Sequence, residues 1–196
     1  MDPEITENPL LLLEAWMAEA ARAGQPLPEA MTLATVSAEG RPSARVVLYK
    51  GLSKGGLTFF TNYESRKAQE LEATPYAAAV FHWPSLQRQL RVEGPIEKLS
   101  GEESDAYFAT RPRDSQLGAW ASPQSRVVAS RQELESMLED VARRFPDGPV
   151  PRPPHWGGYR LIPERIEAWL GRPGRLHDRF LYAAGPEGWK RVRLAP

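Results

Sequence analysis

No cysteine occurs among the 196 residues. Disulfide bridges, thiolate nucleophiles and Cys-based metal sites are therefore excluded. Histidine is nearly as scarce. His82, His155 and His177 lie far apart and show no ligand spacing, so no dedicated metal site is expected. No apolar run is long enough to cross a membrane, and the start is not signal-like, so a soluble, cytoplasmic protein without membrane partners is expected. The Gly-rich loops that cradle phosphates in dinucleotide and nucleoside triphosphate binders are missing. An excess of either charge is missing too: 25 basic and 25 acidic residues cancel. That argues against nucleic acid as a partner but leaves room for a local basic pocket. Lysine is rare, with 5 residues against 20 arginines. Arg suits forked recognition of phosphate and carboxylate. A genomic bias toward Arg explains most surface positions, so only arginines inside a motif carry weight.

What is present fits one domain over residues 1–196, with an N-terminal segment and helix over 1–24 and the remaining elements over 25–196. The apolar fraction, 41%, is far from a disordered composition. In "NPLLLLEAWMAEAARAG", Asn8 suits an N-cap, Pro9 the first helical position and Gly24 the stop; Leu12, Ala15, Trp16 and Ala20 would share a buried face. "MTLATVS", "ARVVLYK" and "LTFFT" read as a three-stranded meander. Ser65 suits a cap for "RKAQELEA", which Pro75 bounds. "YAAAVFHW" and "QRQLRVEGPIEKL" read as strands. Ser100 with Glu103, and Ser130 with Glu133, have capping-box spacing before two further helices. "GGYRLIPERIEAWL" and "DRFLYAAGPEGWKRVRLAP" read as closing strands. Short, closely spaced strands with few strand–helix units predict a mainly β protein with peripheral helices (α+β), an antiparallel barrel rather than a doubly wound sheet.

Four stretches look chemical. "SARVVLYK" puts Arg45, Val47 and Tyr49 on one strand face and Val46, Leu48 and Lys50 on the other; alone, this fits a strand whose ends carry cations to water. Arg66 and Lys67 follow Ser65 at a helix start, where the dipole favours an anion and disfavours cations. A bound anion would offset that repulsion, and a solvated pair accounts for the spacing equally well. "YFATRPRDSQLGAW" concentrates Tyr107, Arg111, Arg113, Asp114, Ser115 and Gln116; Pro112 breaks a helix on which Tyr107 and Arg111 would share a face. Such a donor cluster can wrap a phosphate. In "GRPGRLHDRFLY", read as a strand, Arg175, His177 and Arg179 point one way. No Ser–His–acid set and no paired carboxylates are evident, so a cofactor is expected to carry the chemistry.

At this point the chain resembles the pyridoxamine (pyridoxine) 5′-phosphate oxidases from about Asn8 to Pro196. The stretches that carry the resemblance are "RVVLYK", "TNYESRKAQELE", "LQRQLRVEGPIEKLS", "YFATRPRDSQLGAWAS", "WGGYRLIPERIEAW" and "RLHDRFLY". The resemblance implies an FMN-binding split β-barrel of antiparallel Greek-key type, working as a homodimer with each FMN between subunits. It implies oxidation of pyridoxamine or pyridoxine phosphate to pyridoxal phosphate by hydride transfer to flavin N5, with O2 reoxidising the flavin and giving hydrogen peroxide. The flavin-binding positions it implies are Arg45, Val46, Val47, Leu48, Tyr49, Lys50, Phe60, Thr61, Arg66, Lys67, Gln89, Gln124, Ser125, Trp169 and Arg179. Among these, Arg45, Arg66 and Lys67 are expected at the FMN phosphate. Lys50, Tyr107, Arg111 and Ser115 match positions that grip the substrate phosphate. Arg175 and His177 match those over the substrate ring, with Arg175 expected to stabilise charge there and His177 to orient the ring or assist proton removal. Seven residues precede Asn8, where many members have a longer segment that helps cover the substrate. Phe60 replaces a frequent Tyr, and Tyr49 takes a position that is often aliphatic. Two other functions stay open: a flavin oxidase of another reduced aromatic, such as a phenazine precursor, and a non-catalytic flavin- or pyridoxal-phosphate-binding protein.

Overall fold

Strand β6 (Arg88–Lys98) organises the architecture. Its first half pairs with β8 (Arg165–Leu170), and its last residues, Ile96 to Lys98, pair with β7 (Trp156–Leu161). Between the two partners stand Gly94 and Pro95. A side chain at Gly94 would place a Cβ 1.8 Å from the carbonyl oxygen of Ile162, so only glycine lets the chain cross here. The sheet therefore splits, and both branches curl away from one strand.

The computed structural model describes residues 6–196; positions 1–5 of the N-terminal segment lie outside the described residues. One branch runs β10 (Gly188–Leu194), β9 (Asp178–Gly185), β8, β6, β5 (Tyr76–Trp83), β1 (Ala30–Val36) and β2 (Pro42–Leu48). The other runs from β6 through β7 to β4 (Gly56–Asn62) and the two-residue β3 (Leu52–Ser53). Every ladder is antiparallel. This is the expected split barrel with peripheral helices. The expected meander does not form, because "LTFFT" pairs with β7 rather than with β2. Its residues are almost wholly buried, so no alternation marked its partner.

Among the described residues, five α-helices decorate the sheet: α1 (Pro9–Arg22), α2 (Arg66–Ala73), α3 (Gly101–Ala109), α4 (Arg113–Ala121) and α5 (Arg131–Arg144). Asn8 caps α1 by accepting from the Leu10 amide. The helix buries Leu12, Leu13, Trp16 and Ala20 in the main core, with Leu13 in the place expected of the exposed Ala15. The Ser100–Glu103 capping box is complete. At α5 it is half made: Ser130 accepts from the Glu133 amide, but the Glu133 carboxylate reaches past the cap to the Ala129 amide. Helix α4 is an addition: no helix is expected after Pro112, the residue that breaks the preceding one. It rests on a second, smaller core of Phe108, Leu117, Val150 and Trp156, which forms one wall of the site.

Candidate functional site

A cavity of about 540 Å³ opens between β2, β4, the start of α2 and the α3–α4 junction. Strand β2 supplies Arg45, Val46, Val47 and Leu48, with Lys50 just beyond its end. Phe60 and Thr61 come from β4 and Lys67 from α2. The α3–α4 junction contributes Tyr107, Arg111 and Ser115, and Gln124 reaches in from the following loop. All of these were expected at a flavin or substrate site. Thr110, Pro112 and Trp156 also line the cavity, although the sequence did not mark them as site residues.

The cations are held in different ways. Among the described residues, Lys67 Nζ hydrogen-bonds only to neutral oxygens: Thr61 Oγ1 at 3.0 Å, Gln124 Oε1 at 2.9 Å and Ser65 Oγ at 3.3 Å. Burial, and then the neighbouring Arg45, hold its ammonium down at about 8. Arg45 donates to Thr35, Ser43 and the Leu33 carbonyl and pairs with Glu70 at 3.2 Å. Glu70 is a buried carboxylate that the sequence did not flag. Burial pushes it up, but hydrogen bonds from Ser43, Thr35, Arg66 and Arg45 outweigh this and hold it at about 2. Arg66 lies outside the cavity: its Nε donates to Glu70 at 2.8 Å and its side chain is 64% exposed. Ser65 occupies the N-cap of α2 without capping it. Its hydroxyl donates to the Asn62 carbonyl instead, so the start of α2 has no side-chain cap.

The opposite wall is aromatic. Phe60 stacks on Tyr107 with centroids 3.8 Å apart and on Trp156 at 5.4 Å. Gly158 faces Phe60 across the β4–β7 ladder, where any Cβ would collide with Phe60 and Leu99, so the stack depends on that glycine. The Arg111 guanidinium lies 4.6 Å over the Trp156 ring, and its buried Nη1 has no hydrogen-bond partner among the described residues. Burial lowers its pKa. Tyr107 and Arg111 do not share a helical face as expected. Helix α3 ends at Ala109, Arg111 lies in the bend before α4, and the two converge only in the cavity. Arg113 turns away and donates to the carbonyls of Phe145 and Gly148.

The other expected residues stand elsewhere. Tyr49 points into the core, where its hydroxyl donates to Glu14 and its ring meets Phe81 edge-on. Ser125 is exposed beside Gln124 with φ +72°. Gln89, Trp169 and Arg179 form one row across β6, β8 and β9. Arg179 is held twice by the buried Glu167, at 2.8 and 3.1 Å. Arg175 and His177 do not belong to a strand, so the alternation read over 175–179 fails. Pro173–Arg175 is a turn of 3-10 helix, Arg175 has φ +63°, and β9 begins only at Asp178. None of Gln89, Trp169, Arg175, His177 or Arg179 lines the cavity.

Residues 17–144 match the family model described as pyridoxamine 5′-phosphate oxidase, and residues 156–196 match the pyridoxine 5′-phosphate oxidase C-terminal dimerisation region. A pyridoxine/pyridoxamine 5′-phosphate oxidase of Rubrobacter xylanophilus is 58% identical over 96% of this chain and 87% of its own. One of Burkholderia mallei is 57% identical over 98% of this chain and 91% of its own. Among solved structures, PhzG from Burkholderia lata, in complex with tetrahydrophenazine-1-carboxylic acid, superposes with a TM-score of 0.91 at 32% identity, covering 100% of this chain and 95% of that one. A pyridoxamine 5′-phosphate oxidase-related, FMN-binding protein of Nostoc punctiforme shares the fold, with a TM-score of 0.73 at 20% identity over 93% of this chain and 96% of that one.

Proposed function

The chain belongs to the pyridoxamine 5′-phosphate oxidase family, and from that premise we propose that it oxidises pyridoxamine or pyridoxine 5′-phosphate to pyridoxal 5′-phosphate with FMN as cofactor. The matched dimerisation region implies a homodimer. The observation that carries the reading is the cation content of the cavity. Lys67 and Arg111 have no carboxylate partner among the described residues, and they sit in different walls. Two separate anion positions are what a flavin phosphate and a substrate phosphate require. The donor set fits FMN: half-buried Lys67 with Arg45 at one wall, and a volume within the roughly 300–1,000 Å³ usual for such pockets.

In this reading Arg45 and Lys67, with Arg66 at their edge, bind the flavin phosphate. Lys50, Tyr107, Arg111 and Ser115 grip the substrate phosphate, with the Arg111 Nη1 completing its hydrogen bonds there. Gln89, Trp169 and Arg179 serve the flavin, and Arg175 and His177 the substrate ring, by meeting the cavity of the other subunit. When bound, FMN supplies the hydride acceptor, and O2 is the final oxidant, giving hydrogen peroxide. The protein's own contribution is orientation, which lowers the barrier by proximity, and a positive charge from Arg175 that stabilises negative charge on the phenolic oxygen of the ring.

Anaerobic mixing of the FMN-loaded protein with pyridoxine 5′-phosphate tests this directly: the visible flavin band should bleach. Intact absorbance with FMN bound would sink the oxidase reading. The likeness to PhzG favours one competing substrate class, a tetrahydrophenazine carboxylic acid. Bleaching by that compound and not by pyridoxine phosphate would transfer the assignment. Arg111→Ala should weaken substrate binding by about 1.5–3 kcal/mol, the worth of a charged hydrogen bond, and leave FMN affinity unchanged.

A further inference from the structure

The loop that carries Arg175 and His177 is tied at its neck and bare at its tip. It leaves β8 after Leu170 and enters β9 at Asp178. The backbone N–H of Arg172 donates to His177 Nδ1 at 3.1 Å, which closes the loop on itself. Asp178 then uses both carboxylate oxygens. Oδ2 accepts from Arg172 Nε at 2.7 Å, and Oδ1 accepts from Arg193 Nη1 on β10. The His177 ring also leans on Trp169, with centroids 4.7 Å apart. Beyond these ties Gly174, Arg175 and Leu176 face solvent, Leu176 at 75% exposure.

The tip is strained. Arg175 follows Gly174 in left-handed backbone, φ +63° after +68°. For a residue with a Cβ, such a conformation persists only where its surroundings over-determine it. Here the surroundings are the knot at Asp178. The same knot chooses the His177 tautomer: with Nδ1 accepting from Arg172, the ring proton sits on Nε2, and His177 presents a donor rather than a proton acceptor.

We propose that Asp178 is a positioning residue for the reaction, fastening Arg172 to β10 so that Arg175 and the Nε2–H of His177 are displayed in one fixed orientation. The proposal rests on the assignment of Arg175 and His177 to the substrate ring. Asp178 itself does not touch the ring; it acts through these two.

The test uses the FMN-loaded dimer. Asp178→Ala, and Asp178→Asn as the shape-conserving variant, are compared with wild type for the rate of flavin reduction, FMN affinity, melting temperature and the imidazole 15N spectrum of His177. Reduction should slow about 10- to 100-fold, the scale of a misplacement near 1 Å, while FMN affinity and melting temperature stay close to wild type. The 15N spectrum should change from one tautomer to a mixture. In an Arg175→Ala/His177→Ala background, adding Asp178→Ala should slow reduction no further. Wild-type reduction in both Asp178 variants would overturn the proposal, as would an equal further loss in the double-variant background. If Arg175→Ala/His177→Ala itself reduces flavin at the wild-type rate, the assignment beneath the proposal has failed. If that background is slow and Asp178→Ala is not, only the positioning role has failed.

Discussion

Lys67 shows how one residue reports on its ligand. Its ammonium is surrounded by neutral oxygens and one guanidinium, and burial with that neighbour hold it at about 8. In the folded chain without ligand the ammonium gives up its proton more readily than in the unfolded chain. The unfolded chain therefore binds more protons between about 8 and the ordinary lysine value of 10.5, and stability from this group rises with pH across that window. A phosphate opposite Lys67 reverses that shift by restoring the ammonium. FMN affinity should then fall as pH climbs through 8, because binding must recover a proton. Lys67→Arg, which stays charged, should flatten the dependence. Titrating flavin binding at pH 7 and pH 9.5 checks this, and equal affinities in the wild-type protein would remove Lys67 from the phosphate site. Glu70 has the opposite sign. Its carboxylate lies below the ordinary value because four donors surround it, so its stabilisation is present above about pH 4.5 and is lost as pH falls toward 2. Acid unfolding should shift to lower pH in Glu70→Gln, which keeps an acceptor for Arg45 and has nothing to protonate. An unchanged acid midpoint would count against Glu70 as the group that titrates.

At the scale of elements, the crossing at Gly94 is the hinge between the two branches of the barrel. A Cβ there meets the Ile162 oxygen at 1.8 Å and its carbonyl carbon at 3.0 Å; both are backbone, so neither can swing aside. Gly94→Ala should therefore cost about 3 kcal/mol or more, at the upper end of overpacking. Denaturant unfolding measures it, and a loss under about 0.5 kcal/mol, the scale of an ordinary surface change, would contradict the geometry. Elements of this kind divide into those visible in the sequence and those that are not. Strand β5 and the caps of α1 and α3 follow from alternation and from single residues at fixed offsets, which local backbone chemistry dictates. Strand β4 is visible as a strand but its partner is not, because a strand buried on both faces has no alternation to match. Helix α4 is hidden behind Pro112, a helix breaker that here sits at an N-cap. The left-handed Arg175 is invisible to any period-two pattern, since the alternation assumes extended backbone throughout.

At the scale of the molecule, the expected site residues form two groups, and the division follows the two matched regions. Those from residues 45–125 line the cavity, apart from Tyr49, Arg66, Gln89 and Ser125, whereas Trp169, Arg175, His177 and Arg179 belong to the matched dimerisation region and stay outside it. The residues themselves were legible through their motifs. Their separation was not, because it depends on the β6–β8–β9 register, which no local pattern encodes. A twofold dimer reconciles the groups if each cavity receives the C-terminal loop of the other subunit. That arrangement has a consequence that a site confined to one subunit cannot imitate. Arg111→Ala damages the cavity and Arg175→Ala damages the loop, so each homodimer should be slow. In a mixed dimer one site collects both lesions, while the other pairs an intact cavity with an intact loop. Subunits of the two variants, exchanged in equal amounts, should form mixed dimers about half the time, restoring about a quarter of wild-type sites. Co-expression with different affinity tags isolates the mixed dimer, and its rate of flavin reduction per active site is the measurement. If the mixed dimer is as slow as either parent, the two groups act within a single chain and the shared site is wrong.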